Sequence, residues 1–337
     1  MALAALSVRK ISNIFGFLLA KSYLCTEEKL KRMKKRMNIA YLISAHTDAP
    51  QLARLVAALH PDAELFVHID KKSDICPFKE AVSAGNVHFI ENRIDVRWGT
   101  LIEVEYQMAL IREAVVFPRH FDRIFFLSGM DYPLWSNAHI ADWLQAQGDR
   151  EILQGICMNT DYIQGQQREL YTQSRPLFRL FGNKWNQRLS ILCRKALAAV
   201  GYRKRLAFRI GNDVWDLYKG SAWWCISEEL ARYVLETYRQ CPEIRRYFRD
   251  SFGQAETVIQ TIAFNSPRWA ERCVLTEGPY PGLDALTPLH YIVYEPVIKV
   301  MEAEDLPALL ESGRMFARKF RSGVSDEVVA ALQSRRY

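Results

Sequence analysis

The chain has 337 residues, 49% hydrophobic and 25% charged, which describes a folded globular protein with room for one large α/β domain or two smaller ones. Its formal net charge is +7, but residues 1–37 hold nine Lys/Arg against Glu27 and Glu28, so residues 38–337 sum to zero. That balance argues against a nucleic-acid-binding core, and seven scattered cysteines without a Cys-x-x-Cys argue against a disulfide scaffold or a zinc site.

Residues 1–37 read as a basic leader. Its apolar stretch, "ISNIFGFLLA", is too short and interrupted to span a membrane, and no small-residue cleavage site follows it. Two readings stay open: an interfacial anchor giving peripheral membrane contact, or an upstream extension ahead of a start at Met37. The cysteine pattern fits reduced thiols, hence a cytoplasmic protein, at the inner face of the membrane if the leader is an anchor.

From residue 38 the elements alternate. "NIAYLISAH" reads as a strand, 50–59 as an amphipathic helix, "ELFVHID" as a strand, 77–84 as a helix and "VHFI" as a third strand. Residues 100–116 make a longer helix, "RIFFLS" a fourth strand and 136–146 a helix with capping residues at Ser136 and Asn137. This order implies βαβ units, a mostly parallel sheet and helices on both faces. Residues 160–220, rich in Arg, Lys, Gln and aromatics, read as a helical and loop insertion whose basic residues form a solvated face. Regularity returns with "GSAWWCIS" as a strand, helices at 227–239 and 254–264, "LHYIVY" as a strand, and a last helix at 303–312 ahead of "MFARKF".

The stretch "IFFLSGMDYPLW" (124–135) raises the first functional question. Ile124–Leu127 does not alternate, so it reads as a strand buried on both faces, and it delivers Gly129, Asp131 and Pro133 at its carboxyl end. Those are turn residues. They also sit where ligands of open α/β sheets bind, outside the carboxyl ends of the strands. No Gly-x-Gly-x-x-Gly follows the first strand, and there is no Walker loop, Gly-x-Ser-x-Gly, His-Glu-x-x-His or Asp-x-Asp.

Seven stretches in order resemble the core-2/I-branching and peptide O-xylosyltransferase-like glycosyltransferases, family 14: "AYLISAH", "HIDKKSD", "VRWGTLIEVE", "LSGMDYPLWS", "KGSAWWCIS", "AETVIQTIAFNS" and "EDLPALLESGRMFARKF". They run from residue 40 to residue 320 and leave out the leader and 160–220. The resemblance implies a bacterial member with a GT-A-like, single Rossmann-like domain over 38–337. It also implies inverting transfer from a UDP-sugar to the hydroxyl of a glycan or glycolipid acceptor, with no metal and no other cofactor. The sugar it implies is N-acetylglucosamine or xylose, in cell-surface polysaccharide or glycan assembly. The alternative is a non-catalytic sugar-binding or assembly protein on the same fold.

The resemblance also assigns residues. Glu256 corresponds to the base that takes the acceptor proton, although "GQAE" stands where the family has "SPDE". Without the resemblance, Glu256 reads as an N-terminal helix carboxylate. Arg318 and Lys319 correspond to the cations on the diphosphate, with Lys319 the closer match, and Phe316 and Phe320 flank them as core anchors. Asp70 and Trp98 suit the nucleoside, against a turn aspartate and a core tryptophan as plain alternatives. Asp131 would line the donor-sugar pocket, and Trp223 and Trp224 an acceptor wall, with core packing as their alternative. His290 and Tyr294 depart from the arginine and tryptophan of bacterial members.

Overall fold

The computed structural model describes residues 37–59, 63–175, 184–294 and 297–335; the basic leader lies outside them. The described elements begin β1 (Ile39–Ala45), α1 (Ala49–Leu59), β2 (Ala63–Ile69), α2 (Cys76–Ala81), β3 (Val87–Phe89), α3 (Ile102–Val116), β4 (Arg123–Ser128), β5 (Asp131–Pro133) and α4 (Asn137–Ala146). They continue with β6 (Gln154–Cys157), α5 (Gly165–Thr172), α6 (Lys184–Ala199), β7 (Ala207–Ile210), β8 (Asp213–Asp216), β9 (Tyr218–Gly220), β10 (Cys225–Ile226), α7 (Glu228–Gln240) and α8 (Pro242–Phe248). A 3-10 turn (Gln254–Glu256), α9 (Val258–Phe264), α10 (Pro267–Ala270), β11 (Val274–Thr276), β12 (His290–Ile292), a 3-10 turn (Ala303–Asp305), α11 (Leu306–Glu311), β13 (Phe316–Arg318) and α12 (Asp326–Arg335) complete the order.

The central sheet runs β10-β4-β1-β2-β3, with β4, β1, β2 and β3 parallel and only β10 antiparallel. The expected α/β class with a mostly parallel sheet is therefore what the chain folds into. The apolar runs explain it. All of β2, Ile39–Ile43 of β1 and Arg123–Leu127 of β4 are buried, as strands covered on both faces must be. On one face Ala40, Leu42, Phe66 and Phe126 join Val104, Met108 and Ile111 of α3 in the main core. On the other, Tyr41 stacks on Phe125, and Phe316 of β13 closes edge-on against both.

Ser136 caps α4 as expected, accepting from the His139 amide at 3.2 Å, and Ser227 caps α7 in the same way through Leu230. Several boundaries differ from the expectation. Only Cys225–Ile226 of "GSAWWCIS" joins the central sheet, because Lys219 and Gly220 belong to β9, which pairs with β6 in a second sheet, β11-β6-β9. The helix expected over 254–264 is a 3-10 turn followed by α9. Besides its helices, the 160–220 segment carries the β7–β8 hairpin and β9. The closing helix α12 was not foreseen; Val328, Val329 and Leu332 bury it against Phe320 and Met301. The six described cysteines are free thiols, with Cys225 buried and Cys76 exposed.

Three strand ends open on one edge. Asp70 N donates to the Ala45 carbonyl at 2.9 Å, and Gly129 N donates to Ser44 at 2.8 Å. A Cβ on Gly129 would lie 2.8 Å from the Ala45 Cβ, so this glycine serves close packing of two strand ends. Beyond it the chain enters β5, which pairs antiparallel with β13 and sets Asp131 opposite Arg318. That register answers why a buried strand should deliver an aspartate at its end.

Candidate active site

Asp131 is fully enclosed, and three donors meet its carboxylate. Arg318 Nη1 donates to Oδ1 at 2.8 Å, while the Ser128 amide at 2.7 Å and His290 Nε2 at 3.0 Å reach Oδ2. Burial alone would raise its pKa, but His290 and Arg318 outweigh that and hold the carboxyl below its ordinary value. The guanidinium of Arg318, 15% exposed, also lies over the Trp223 ring at 5.3 Å. Trp223 in turn packs on His290 at 5.3 Å. The expectation that Asp131 lines a sugar pocket is corrected here: with no exposed surface and both oxygens taken, it fixes Arg318 and His290.

At the ends of β1 and β2 stands a second group. Asp70, 8% exposed, accepts from the Lys72 ammonium at 2.9 Å and from the Val96 amide at 3.3 Å, which ties the loop carrying Trp98 to the end of β2. Trp98 is 62% exposed, so it is no core tryptophan. His46, just past β1, was missed by sequence reasoning. Burial lowers its pKa, Asp70 opposes that, and Arg318, Lys319 and Lys72 add to it. Lys319 follows β13, between the enclosed rings of Phe316 and Phe320. Partial burial and then Arg318 and Arg321 lower its pKa, and among the described residues no carboxylate pairs with it.

Glu256 ends the 3-10 turn, set by Gly253 at φ 62, where a residue with a side chain would be strained. Its Oε2 accepts from Lys219 Nζ at 2.5 Å. Lys219, on β9, has a side chain only 5% exposed, and its ammonium stands near the rings of Tyr171 (5.8 Å) and Tyr280 (6.0 Å). Sequence reasoning missed this lysine, although it quoted the stretch that holds it. The carboxylate is therefore not a simple helix-start acid: α9 begins two residues later. Partial burial and then Glu256 push the Tyr294 hydroxyl up to about 12, while Arg318 and Lys219 oppose the rise, so one phenol feels the carboxylate and both cations.

Of the expected residues, the structure brings Asp131, Arg318 and Trp223 into contact, with Lys319 next to Arg318 in the chain. Asp70 and the loop of Trp98 meet at the end of β2, and Glu256 pairs with Lys219 on β9. It does not bring Trp224 with them. That ring is fully buried, stacked on Phe126 at 5.5 Å, and offers no face to an acceptor. Trp223 and Trp224 precede β10, and of the two only Trp224 enters the core. Among the described residues no group of three or more His, Cys, Asp or Glu stands together as a metal site, and no helix is long and apolar enough to cross a membrane.

The model of the Core-2/I-Branching enzyme matches residues 39–278, a span that holds Asp70, Trp98, Asp131, Trp223 and Glu256 and stops short of Arg318. The chain belongs to that family, a family of glycosyltransferases. It is 23% identical over 244 residues to the Xylosyltransferase 2 of Mus musculus, covering 69% of this chain and 25% of that protein. It is 22% identical over 342 residues to a human beta-1,3-galactosyl-O-glycosyl-glycoprotein beta-1,6-N-acetylglucosaminyltransferase, covering 93% of this chain and 72% of that protein. The chain thus spans about a quarter of the length of the xylosyltransferases it matches.

Proposed function

We propose that the domain is an inverting glycosyltransferase that moves a sugar, N-acetylglucosamine or xylose, from a UDP-sugar to an acceptor hydroxyl without a metal ion. Its setting would be the assembly of a cell-surface polysaccharide or glycan. The observation that carries this is Arg318, locked by the enclosed Asp131 and followed in the chain by Lys319. A fixed guanidinium with an ammonium on the next residue is suited to a diphosphate, and the two would stabilise the charge that develops as it departs. Arg318 is held before any ligand arrives, so little reorganisation is needed at the moment of reaction.

In the step proposed, the acceptor oxygen forms a bond to the anomeric carbon as the bond to the β-phosphate oxygen breaks. UDP leaves with the electron pair, and the acceptor proton passes to Glu256 Oε1, the oxygen that Lys219 does not hold. Asp70 sets the loop of Trp98, and that exposed ring would stack on a uracil. Trp223 braces Arg318 and borders the sugar. Residues 1–37 would supply any membrane contact.

One observation favours a second reading, a sugar-binding protein that does no chemistry: Glu256 is already neutralised by Lys219. A transfer assay separates them. With UDP-N-acetylglucosamine and UDP-xylose as donors and EDTA present, the proposal expects product whose anomeric proton shows inverted configuration by NMR. Retained configuration, or transfer abolished by EDTA and restored by a divalent ion, would refute it.

A further inference from the structure

We propose that the acceptor is an anionic glycan, held by a basic groove one helix away from Glu256; this rests on the transferase reading and names its substrate class. Residues 160–212 hold eleven Lys/Arg against Asp161 and Glu169, within a domain that sums to zero as a whole. The charge is thus segregated, and its location can be followed in space.

Between α5 and the 203–207 segment lies an open cavity of about 620 Å³, lined by Arg168, Glu169, Thr172, Arg203, Lys204 and Arg205 together with small and apolar residues. The ammonium of Lys204 is spent on Asp250 at 2.6 Å, within the body of the domain. The three guanidinium groups are not spent. Arg168 donates to the carbonyls of Thr160 and Ile163, Arg203 to the carbonyl of Tyr202, and among the described residues no carboxylate pairs with Arg168, Arg203 or Arg205. Against them stands Glu169 alone, which accepts from Gln173. A cleft lined by one sign of charge concentrates ligands of the other, and the planar fork of arginine matches a carboxylate or a sulfate.

The same helix connects the groove to the chemistry. Arg168, Glu169 and Thr172 share the outer side of α5, while Tyr171, fully enclosed, stands on its inner side by Lys219 and Glu256. The groove and the base are separated by about the width of one helix, roughly 10 Å. A chain whose terminal hydroxyl reaches Glu256 can rest its neighbouring acidic units on the arginines. The lining contains no aromatic ring. Neutral sugars and single-stranded nucleic acid both rely on such rings for stacking, so charge is what this groove has to offer.

The test is calorimetric titration of the full chain with a hyaluronan tetrasaccharide, which carries carboxylates, and with chitotetraose, which is neutral. The proposal expects hyaluronan to bind, more weakly as salt rises, and chitotetraose to bind no more tightly in the wild type than in the variant Arg203→Glu/Arg205→Glu. In that variant hyaluronan affinity should fall by about tenfold or more, since two attractive charges become repulsive. UDP affinity should stay unchanged, which shows that the variant is folded. Equal hyaluronan binding by both proteins, no binding by either, or tighter binding of a thymidine oligonucleotide of matched charge would overturn the proposal. Absence of UDP binding with hyaluronan binding intact would strike the donor reading and leave the groove standing.

Discussion

Lys219 Nζ donates to Glu256 Oε2 at 2.5 Å, joining a lysine enclosed among aromatic rings to a carboxylate that keeps 27% of its side chain exposed. The pair orients the carboxylate so that one oxygen is held and the other is presented. Lys219 is on this account a positioning residue.

Replacing it tests that. Lys219→Met keeps the stem and removes the charge, and Glu256 is exposed enough to hydrate, so the fold should survive. Turnover should fall by about 10-fold to 100-fold, with the donor KM little changed and with Lys219→Arg recovering part of the loss. Loss of donor affinity with turnover intact would contradict the role.

Asp131→Asn removes a buried charge that two cationic or donor side chains share. Breaking such a pair on one side typically costs about 3–5 kcal/mol, because the partner is left uncompensated. Denaturant unfolding should show that loss, and UDP affinity should fall with it as Arg318 is released. A variant as stable as wild type would mean that Arg318 finds another partner.

Lys319→Ala takes away a partly exposed charge and no core volume, so stability should hold. Donor affinity should weaken and transfer slow by about 10²–10³, the usual cost of one electrostatic stabiliser. Unchanged donor kinetics would leave the diphosphate to Arg318 alone.

His68 predicts a pH dependence of stability. Its pKa is lowered to about 4, first by burial and then by Arg93 with Asp70 opposing, and its Nε2 accepts from the Ile94 amide at 2.9 Å, so that nitrogen must be unprotonated. The unfolded chain takes up a proton on this residue below its ordinary value of 6.5, and the folded chain only near 4. Stability should therefore be full above pH 6.5 and decline as pH falls toward 4. At about 1.4 kcal/mol per pH unit this amounts to roughly 3 kcal/mol. Urea unfolding at a series of pH values checks it. A flat profile over that window would show that His68 protonates in the native state.

How much of this was legible in the sequence depended on whether the signal was local. The order from β1 to α4 could be read because apolar runs and helical spacing are properties of short windows, and Ser136 announces its cap. The 160–220 segment could not: four-residue strands such as β7 and β8, pairing only with each other, leave little periodicity in a polar and aromatic context. The site divides the same way. Glu256, Arg318, Lys319 and Trp98 were singled out through short stretches that resemble a family. What each side chain touches was not, since Asp131 and Arg318 are 187 positions apart and Lys219 and Glu256 are 37 apart, across different sheets and turns. Two adjacent tryptophans gave no sign of which would turn inward. His290, noted only as a departure, proves to be a partner of the buried aspartate.

The central claim is that Glu256 accepts the acceptor proton, and Glu256→Gln tests it most directly. Glutamine keeps the shape and one acceptor oxygen but cannot take a proton at neutral pH. Transfer from the active UDP-sugar and UDP affinity should be measured on the same variant. The account predicts a fall in turnover of roughly 10²–10⁴ with UDP affinity near wild type. A Glu256→Gln protein that transfers sugar at the wild-type rate would contradict it.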